Sequence, residues 1–401
     1  MIEKTSTNMK RKHEVVGKKK KIKYVTENDL QYITEEDKNF EKIKENQYKG
    51  LVFVPQKNFT ISQKEVYQEF EKLLKSKIIR NYHIIIDGLL VIPTIQRALL
   101  GVQGMTYKYF NIRLFTVPWE NTIFEKLNKQ MSLKSFELNK NNFNYEKGSD
   151  FNISLLNFYD INKVKLKYDD YHGIDVGMSV KWHRDTFLEP KSTVGVYQCT
   201  EEMNDSSWKL GFRIAWDIET PALLMTVKSD ESYFMLYDFN ETHQHAIFTG
   251  DSNRYTSTHR KIPEEGNSYD YISKKCEDLI VKFCKFDTLT SEEIQSLFDL
   301  ANELEFDWIK QFWFQGYEYS QVHQYWIPLM KKLEEFWNQI QTIIQKIDEK
   351  CPNDCKIKEE LEKKNELTEK WNYWTSLMYS KQFSNELLPI EKPKLMITDE
   401  K

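Results

Sequence analysis

In this 401-residue chain, the residues whose types and spacing could do chemistry are His183-Arg184-Asp185 and, farther along, Thr242-His243-Gln244-His245. Two imidazoles and one carboxylate can grip ferrous iron on one face and leave three positions for a co-substrate and oxygen. His183 and Asp185 stand two apart, so on an extended segment they project the same way and can reach one metal. The second imidazole must come from a later strand, where His243 and His245 are both candidates and one of them can face inward. A His-x-Asp alone is weak evidence in a chain with eight histidines. The residues downstream of His245 add weight. Arg254 lies nine positions beyond it, and a buried Arg is what the far carboxylate of a dicarboxylate co-substrate requires. Thr256 would face the same way and offer a hydroxyl, and Arg260 could meet the carboxylate nearer the metal.

The elements that must position these residues are mostly strands. From Ile153 to Arg260 short β-rich runs ("STVGVYQC", "GFRIAWDI", "ALLMTV", "SYFMLY") are broken by polar loops, which predicts an antiparallel sandwich or jelly roll. In Gly211–Asp217, Phe212, Ile214 and Trp216 share one face and Arg213, Ala215 and Asp217 the other, as in a sheet with one buried side. His183 is expected just before the first strand of this region. Upstream, Glu65–Leu74 reads as an amphipathic helix, "YHIIIDGLLVIP" (82–93) as an apolar β-type run, "TIQRALL" (94–100) as a helix or turn, and Tyr107–Trp119 as strand. Residues 120–152 are Lys/Asn-rich and weakly patterned, and read as an exposed insertion. After Lys274 the pattern turns helical. Thr290-Ser-Glu-Glu293 is a capping box ahead of a long helix ending near Gly316. A second helix follows Pro328, with Leu329, Leu333, Phe336, Trp337, Ile340, Ile344 and Ile347 on one stripe. A third covers Lys356–Ser380, giving an all-α bundle.

Composition bounds the rest. Hydrophobic residues make up 40% and aromatics 14%, enough for a sizeable core and too much for a disordered chain. No apolar run approaches the roughly 18 residues that span a bilayer, and no apolar signal segment opens the chain, so a soluble protein without a membrane partner is expected. The five cysteines, an odd number in a long chain, imply no disulfide framework. Cys351 and Cys355 read as a polar loop rather than half a metal site. Net charge is −4 (57 basic, 61 acidic), but Lys10-Arg11-Lys12 and Lys18–Lys23 concentrate positive charge in a tail of residues 1–26. That tail reads as a nuclear-import signal in preference to a solvated arm or a phosphate-binding one.

Several long segments resemble one known family. Val180–Asp185 ("VKWHRD"), Gly211–Pro221 ("GFRIAWDIETP"), Tyr233–His245 ("YFMLYDFNETHQH"), Arg254–Arg260 ("RYTSTHR"), Arg97–Leu100, Thr106–Trp119 and Glu305–Gly316 ("EFDWIKQFWFQG") look like the fat mass and obesity-associated (FTO) demethylase family, a branch of the AlkB-like oxygenases. The resemblance implies an α+β protein: a double-stranded β-helix (jelly-roll) catalytic domain over 27–274 with flanking helices, then a helical-bundle domain over 275–401. It implies Fe(II) held by His183, Asp185 and His245, with His243 facing out or supporting the site. It further implies 2-oxoglutarate and O2 as co-substrates, with Asn157, Tyr233, Arg254, Thr256 and Arg260 around the 2-oxoglutarate. Thr256 stands where the family has Ser. Arg97, Tyr107 and Tyr109, flanked by Trp182 and His183, match a base pocket, a task that suits Tyr rings and an Arg. A Lys/Asp/Tyr-rich loop over Asn162–Met178 matches the loop that excludes double strands. Three departures stand out: Thr186 replaces an acidic residue beside the base, Arg184 replaces a second His, and the stretch from Trp119 to Asn157 is shorter, as if a helix were missing.

Three functions are therefore weighed. One is oxidative demethylation of N-methylated bases, N6-methyladenine first, in single-stranded RNA or DNA. Another is 2-oxoglutarate-dependent hydroxylation of a protein or small molecule. The third is silent nucleic-acid binding, with a protein partner docked on the C-terminal helices. A nuclear location, with the cytoplasm as a second one, fits the first; oligomeric state is not fixed by the sequence.

Overall fold

The computed structural model describes residues 31–382 except 83, 87–88, 110–111, 164–166, 170–173, 201–206, 218, 230, 284–289, 316–323 and 351. The basic clusters at 10–12 and 18–23, Cys351, Gly316 and part of the 162–178 loop lie outside the described residues. In chain order the strands are β1 (Tyr32–Thr34), β2 (Leu51–Pro55), β3 (Ile84–Ile86), β4 (Leu89–Val91), β5 (Gln96–Gly101), β6 (Thr106–Tyr109), β7 (Ile112–Phe115), β8 (Val117–Pro118) and β9 (Ile153–Tyr159). They continue with β10 (Lys167–Asp169), β11 (Ile174–His183), β12 (Val194–Thr200), β13 (Lys209–Ile214), β14 (Ala222–Thr226), β15 (Glu231–Met235), β16 (His243–Phe248) and β17 (Arg254–Arg260).

The chain divides into two compact units. The first comprises residues up to Ile79, Thr94–Gln96 and Asn121–Lys261. One of its sheets runs β1-β14-β13-β16-β11-β10, and the other contains β2-β15-β12-β17-β9. All their pairings are antiparallel apart from β1 with β14. Leu210, Phe212, Leu223 and Ile247 from the first sheet pack with Val194, Val196, Tyr233 and Met235 from the second into one core. This is the double-sheet β architecture that the strand pattern predicted.

Helices α1 (Phe40–Gln47), α2 (Gln63–Lys75) and α3 (Ile123–Phe143) belong to this unit. The Ser62–Glu65 capping box starts α2, and Val66, Phe70 and Leu73 form its buried stripe. The helix α3 corrects two expectations. Residues 120–152 are not an exposed insertion, and the shortened segment does hold a long helix. Its buried face is Phe124, Leu127, Asn128, Met131, Ser135 and Asn139, and three of those six are polar, which hides the helical period from a hydrophobicity reading. Each polar member is hydrogen-bonded: Asn128 donates to the Phe151 carbonyl, Ser135 meets Ser149, and Asn139 donates to Thr193 Oγ1.

The second unit takes Arg80–Pro93, Arg97–Glu120 and the chain from Ile262 onward. The helix α5 (Tyr269–Phe283), which follows a short α4 (Phe239–Thr242), runs through Lys274, so the expected boundary there falls inside a helix. "TIQRALL" is largely strand β5 rather than helix or turn. The run at 82–93 forms the β3–β4 hairpin and 106–115 the β6–β7 hairpin. Helix α6 (Ser291–Asn302) starts at the Thr290–Glu293 capping box and continues through a π-helical stretch, Glu303–Ile309, into Lys310–Phe314. Two long helices follow, Trp326–Lys350 and Cys355–Gln382. The first begins two residues before Pro328, a position in the opening turn where the missing N–H costs nothing. The helical core includes residues from the earlier hairpin. Phe115 packs edge-on against Trp308, Phe312 and Trp326. The buried Arg113 donates to Thr106 Oγ1 and to the carbonyls of Gly266 and Asp307, and lies 4.2 Å from the Trp308 ring.

Candidate functional site

His183 is the last residue of the ten-residue strand β11, not a residue ahead of the first strand. Its register partner is His245 in β16, and His245 is also paired with Phe212 in β13. Directly opposed residues share a face of the sheet, so the two imidazoles stand together, ring centroids 4.1 Å apart. Asp185 lies two residues beyond the end of the strand. Ligand atoms of His183, Asp185 and His245 all lie within 4.8 Å of one another, the sole such cluster of His, Cys, Asp or Glu among the described residues.

Each of the three is held. His183 Nδ1 is 2.8 Å from the Lys181 carbonyl. A carbonyl can only accept, so Nδ1 donates to it, which leaves Nε2 as the ring nitrogen that could face a metal. Asp185 is gripped twice. Arg260 donates Nε and Nη2 to its two carboxylate oxygens, both at 2.9 Å, while Asn240 pairs with its backbone. The Asp185 N–H donates to Asn240 Oδ1 at 3.0 Å, and Asn240 Nδ2 donates to the Asp185 carbonyl at 2.9 Å. Burial pushes the Asp185 pKa up, but Arg260, then His245 and the Arg260 hydrogen bond, pull it net well below the usual carboxylate range. The carboxylate is therefore ionised at any physiological pH.

Burial, with a smaller push from His183, lowers His245 to about 3. It is a neutral imidazole at pH 7, the form that binds a metal. Its Nδ1 is buried without a hydrogen-bond partner. An orphaned buried nitrogen beside a second imidazole and an ionised carboxylate fits a divalent metal. His243 is otherwise engaged. It stacks on Phe239 at 4.0 Å, and its ring nitrogens meet the Gln47 carbonyl and Thr242 Oγ1.

The 2-oxoglutarate candidates line up on β17. Arg254, Thr256 and Arg260 share its inward face by strand alternation. Asn157 is the β9 register partner of Thr256 and donates to its hydroxyl at 3.2 Å. Arg254 is 1% exposed. Gln198 Oε1 accepts from its Nε and Nη2, and the rings of Tyr159 and Trp208 lie 5.4 and 5.6 Å from it. Among the described residues no carboxylate pairs with it, and its Nη1 has no acceptor. Burying a guanidinium without an anion is costly, so the arrangement calls for an anionic ligand. The Tyr233 phenol, pushed up by burial, stays protonated and able to donate. Arg260, expected near the metal-side carboxylate of the co-substrate, spends two donors on Asp185 in this structure.

Trp182 lies 4.7 Å from the Arg213 guanidinium and stacks on Tyr32. It packs against Gly211, where a Cβ would come within 2.7 Å of its ring. Thr186 is exposed. Arg97, Tyr107 and Tyr109 belong to the second unit, where the Arg97 guanidinium lies 5.0 Å from the Tyr109 ring and Tyr107 is buried. Two residues that matter to the site escaped the sequence reading: Gln198, which carries no motif, and Asn240, whose role needs the turn ahead of β16 to be folded. Trp216, expected on the buried face with Phe212, is 61% exposed, because β13 ends at Ile214 and a turn lifts it clear.

The family profile for the FTO catalytic domain matches residues 38–138 and 125–262, and that for the FTO C-terminal domain matches 267–399. The curated alpha-ketoglutarate-dependent dioxygenase FTO of Xenopus laevis is 29% identical over 417 residues, covering 84% of this chain and 82% of that protein. Among solved structures, OsALKBH1 (15% identity, TM-score 0.34, 53% of this chain and 96% of that one) is similar. So is a prolyl hydroxylase from Trichoplax adhaerens (14% identity, TM-score 0.35, 55% and 87%). Likeness at that level carries no functional weight. The family profiles do, since the catalytic one alone spans more than half of the chain and includes all three candidate metal ligands: this protein belongs to the FTO family of iron- and 2-oxoglutarate-dependent dioxygenases.

Proposed function

We propose that the protein removes methyl groups oxidatively from N-methylated bases in single-stranded nucleic acid, with N6-methyladenine in RNA as the first substrate. The observation that carries the reading is the pairing of His183, Asp185 and His245 with a buried Arg254 that lacks a carboxylate partner among the described residues. His183, Asp185 and His245 would hold Fe(II). Bound there with 2-oxoglutarate and O2, the iron supplies the oxidising power to hydroxylate an N-methyl group, which then leaves as formaldehyde.

The chain's own contribution is to bind, orient and exclude. Arg254 neutralises the far carboxylate of 2-oxoglutarate, with Thr256 and the protonated Tyr233 as hydroxyl donors and Asn157 orienting Thr256. Arg260 and Asn240 keep Asp185 ionised and aimed. Arg97, Tyr107 and Tyr109, all of the second unit, are proposed to contact the flipped base. The loop over 162–178 is proposed to favour single strands. The basic tail is read, on this proposal, as a nuclear address.

His183→Ala and Arg254→Ala are each expected to abolish formaldehyde release from methylated single-stranded oligonucleotides, while the wild type gives a product lighter by one methylene. Normal turnover by either variant would refute the site assignment. Thr186 favours a second reading, hydroxylation of a protein or small molecule, because an exposed neutral residue succeeds the metal carboxylate where the family has an acid. Unchanged oligonucleotide mass with 2-oxoglutarate still consumed would favour that reading. No binding of Mn(II) with 2-oxoglutarate would point instead to a silent binding module.

A further inference from the structure

Beside the metal candidates stands a side chain that neither the core nor the metal and 2-oxoglutarate sites use. Trp216 is 61% exposed, although burying an indole is among the larger stabilisations a side chain can give. It is not a loosely held residue. The Ala215 N–H donates to the Thr242 carbonyl at 2.9 Å, closing the end of β13 against the turn ahead of β16. Asp217 then accepts from the Glu219 N–H at 2.9 Å and from Thr220 Oγ1 at 2.7 Å, fixing the turn that presents the indole.

Its one ring contact among the described residues is the Arg184 guanidinium, 5.0 Å from the ring centroid. Arg184 is pinned in turn by Nη1 donating to the Glu241 carbonyl at 2.7 Å. Arg184 sits between the two ligand candidates His183 and Asp185, so this indole–guanidinium pair adjoins the place where chemistry would occur. Phe187, two residues past Asp185, is 58% exposed and has φ +60°. That conformation is strained for a bulky side chain, and burial of its ring does not repay it.

We propose that Trp216, backed by Arg184, is a stacking subsite for the nucleotide next to the methylated base of a single-stranded nucleic acid, a proposal that rests on the demethylase reading. The open part of the indole offers a base a π-face, which every base can use regardless of sequence. Arg184 keeps further N–H donors for the adjoining phosphate. A protein partner would require a wider apolar patch, whereas one indole with a cation suits one base with its phosphate.

The test compares KM for N6-methyladenosine with KM for a single-stranded pentanucleotide carrying the same base, using the Fe(II)-loaded enzyme. In the wild type, KM is expected to fall with length. Trp216→Ala is expected to erase most of that gain, raising the pentanucleotide KM about tenfold, as the loss of one base–aromatic stack does. Trp216→Phe is expected to recover most of it. Arg184→Ala should raise the same KM and flatten its salt dependence. Anisotropy of a fluorescein-labelled, unmethylated pentanucleotide gives the same comparison without turnover. A length gain undiminished in Trp216→Ala, or equal losses on nucleoside and pentanucleotide, overturns the subsite and leaves the patch to a protein partner or a structural role. If the wild type releases no formaldehyde from any oligonucleotide, the demethylase reading itself fails, a result distinct from an active wild type indifferent to Trp216.

Discussion

Asp185 shows how much apparatus one metal-binding side chain needs. Its carboxylate faces a bidentate Arg260, and its peptide groups are paired with the Asn240 amide. The Arg supplies charge; the Asn supplies direction, because a residue just past a strand end has no ladder bonds to fix its backbone. Groups that orient a metal ligand are commonly worth 10- to 100-fold in metal affinity. Asn240→Ala is accordingly expected to weaken Mn(II) binding to the metal-free protein about tenfold, measured by titration with EPR detection. Unchanged affinity would show that Arg260 alone positions the carboxylate. The pair His183 and Asp185 was legible from spacing, and Arg254 from its distance to His245. Asn240 was not, since its partner is brought to it by the pairing of β11 with β16.

At the scale of elements, β17 does two jobs through the alternation of its side chains. Arg254, Thr256 and Arg260 face the site, while Tyr255, Ser257 and His259 face the covering helices. Tyr255 packs against Phe70 of α2. His259 accepts at Nε2 from Ser257 and donates from Nδ1 to Asn128 of α3, at 2.8 and 2.7 Å. Burial, with a lesser contribution from Arg260, lowers His259 to about 3, so it is neutral in the folded protein, whereas in the unfolded chain it titrates near 6.5. As pH falls below about 6.5 the unfolded state gains a proton that the native state refuses, and stability drops by about 1.4 kcal/mol per pH unit, continuing toward pH 3. In urea unfolding of the metal-free protein, His259→Gln is expected to lower the midpoint at pH 7 and to flatten the decline between about pH 6 and 4. The two pH profiles running parallel would rule out His259 as the group responsible. The sequence hid α3 for the same reason that its network exists: half of its buried stripe is polar, and polar residues read as surface until their partners are known.

For the molecule as a whole, sequence order and compact units do not coincide. The helical unit incorporates residues 80–93 and 97–120. Within it Phe115 fills the space between Trp308, Phe312 and Trp326, the Trp326 indole donates to the Thr116 carbonyl at 2.8 Å, and Lys108 pairs with Asp307. A fragment comprising residues 275–401 would lose those partners and expose three large aromatics. It is expected to retain helix by far-UV circular dichroism but to lack the near-UV tryptophan signal and a cooperative melt. A sharp melt from that fragment would mean that the hairpin residues are dispensable to the bundle.

By itself the sequence determined the identities that chemistry restricts: two histidines and an aspartate, the arginine that a dicarboxylate requires, and the periods that separate strands from helices. Those are local properties, set by side-chain type and by repeats of about two and 3.6 residues. Only the tertiary structure decided that His245 stands opposite His183 while His243 is absorbed by Phe239 and Gln47. It alone decided that Trp216 leaves the buried face, that α3 closes over β17, and that the β6–β7 hairpin belongs with the helices. Each of these depends on which segments meet, and strand register, the end of a strand and the partner of a buried amide are fixed by contacts between residues far apart in the chain.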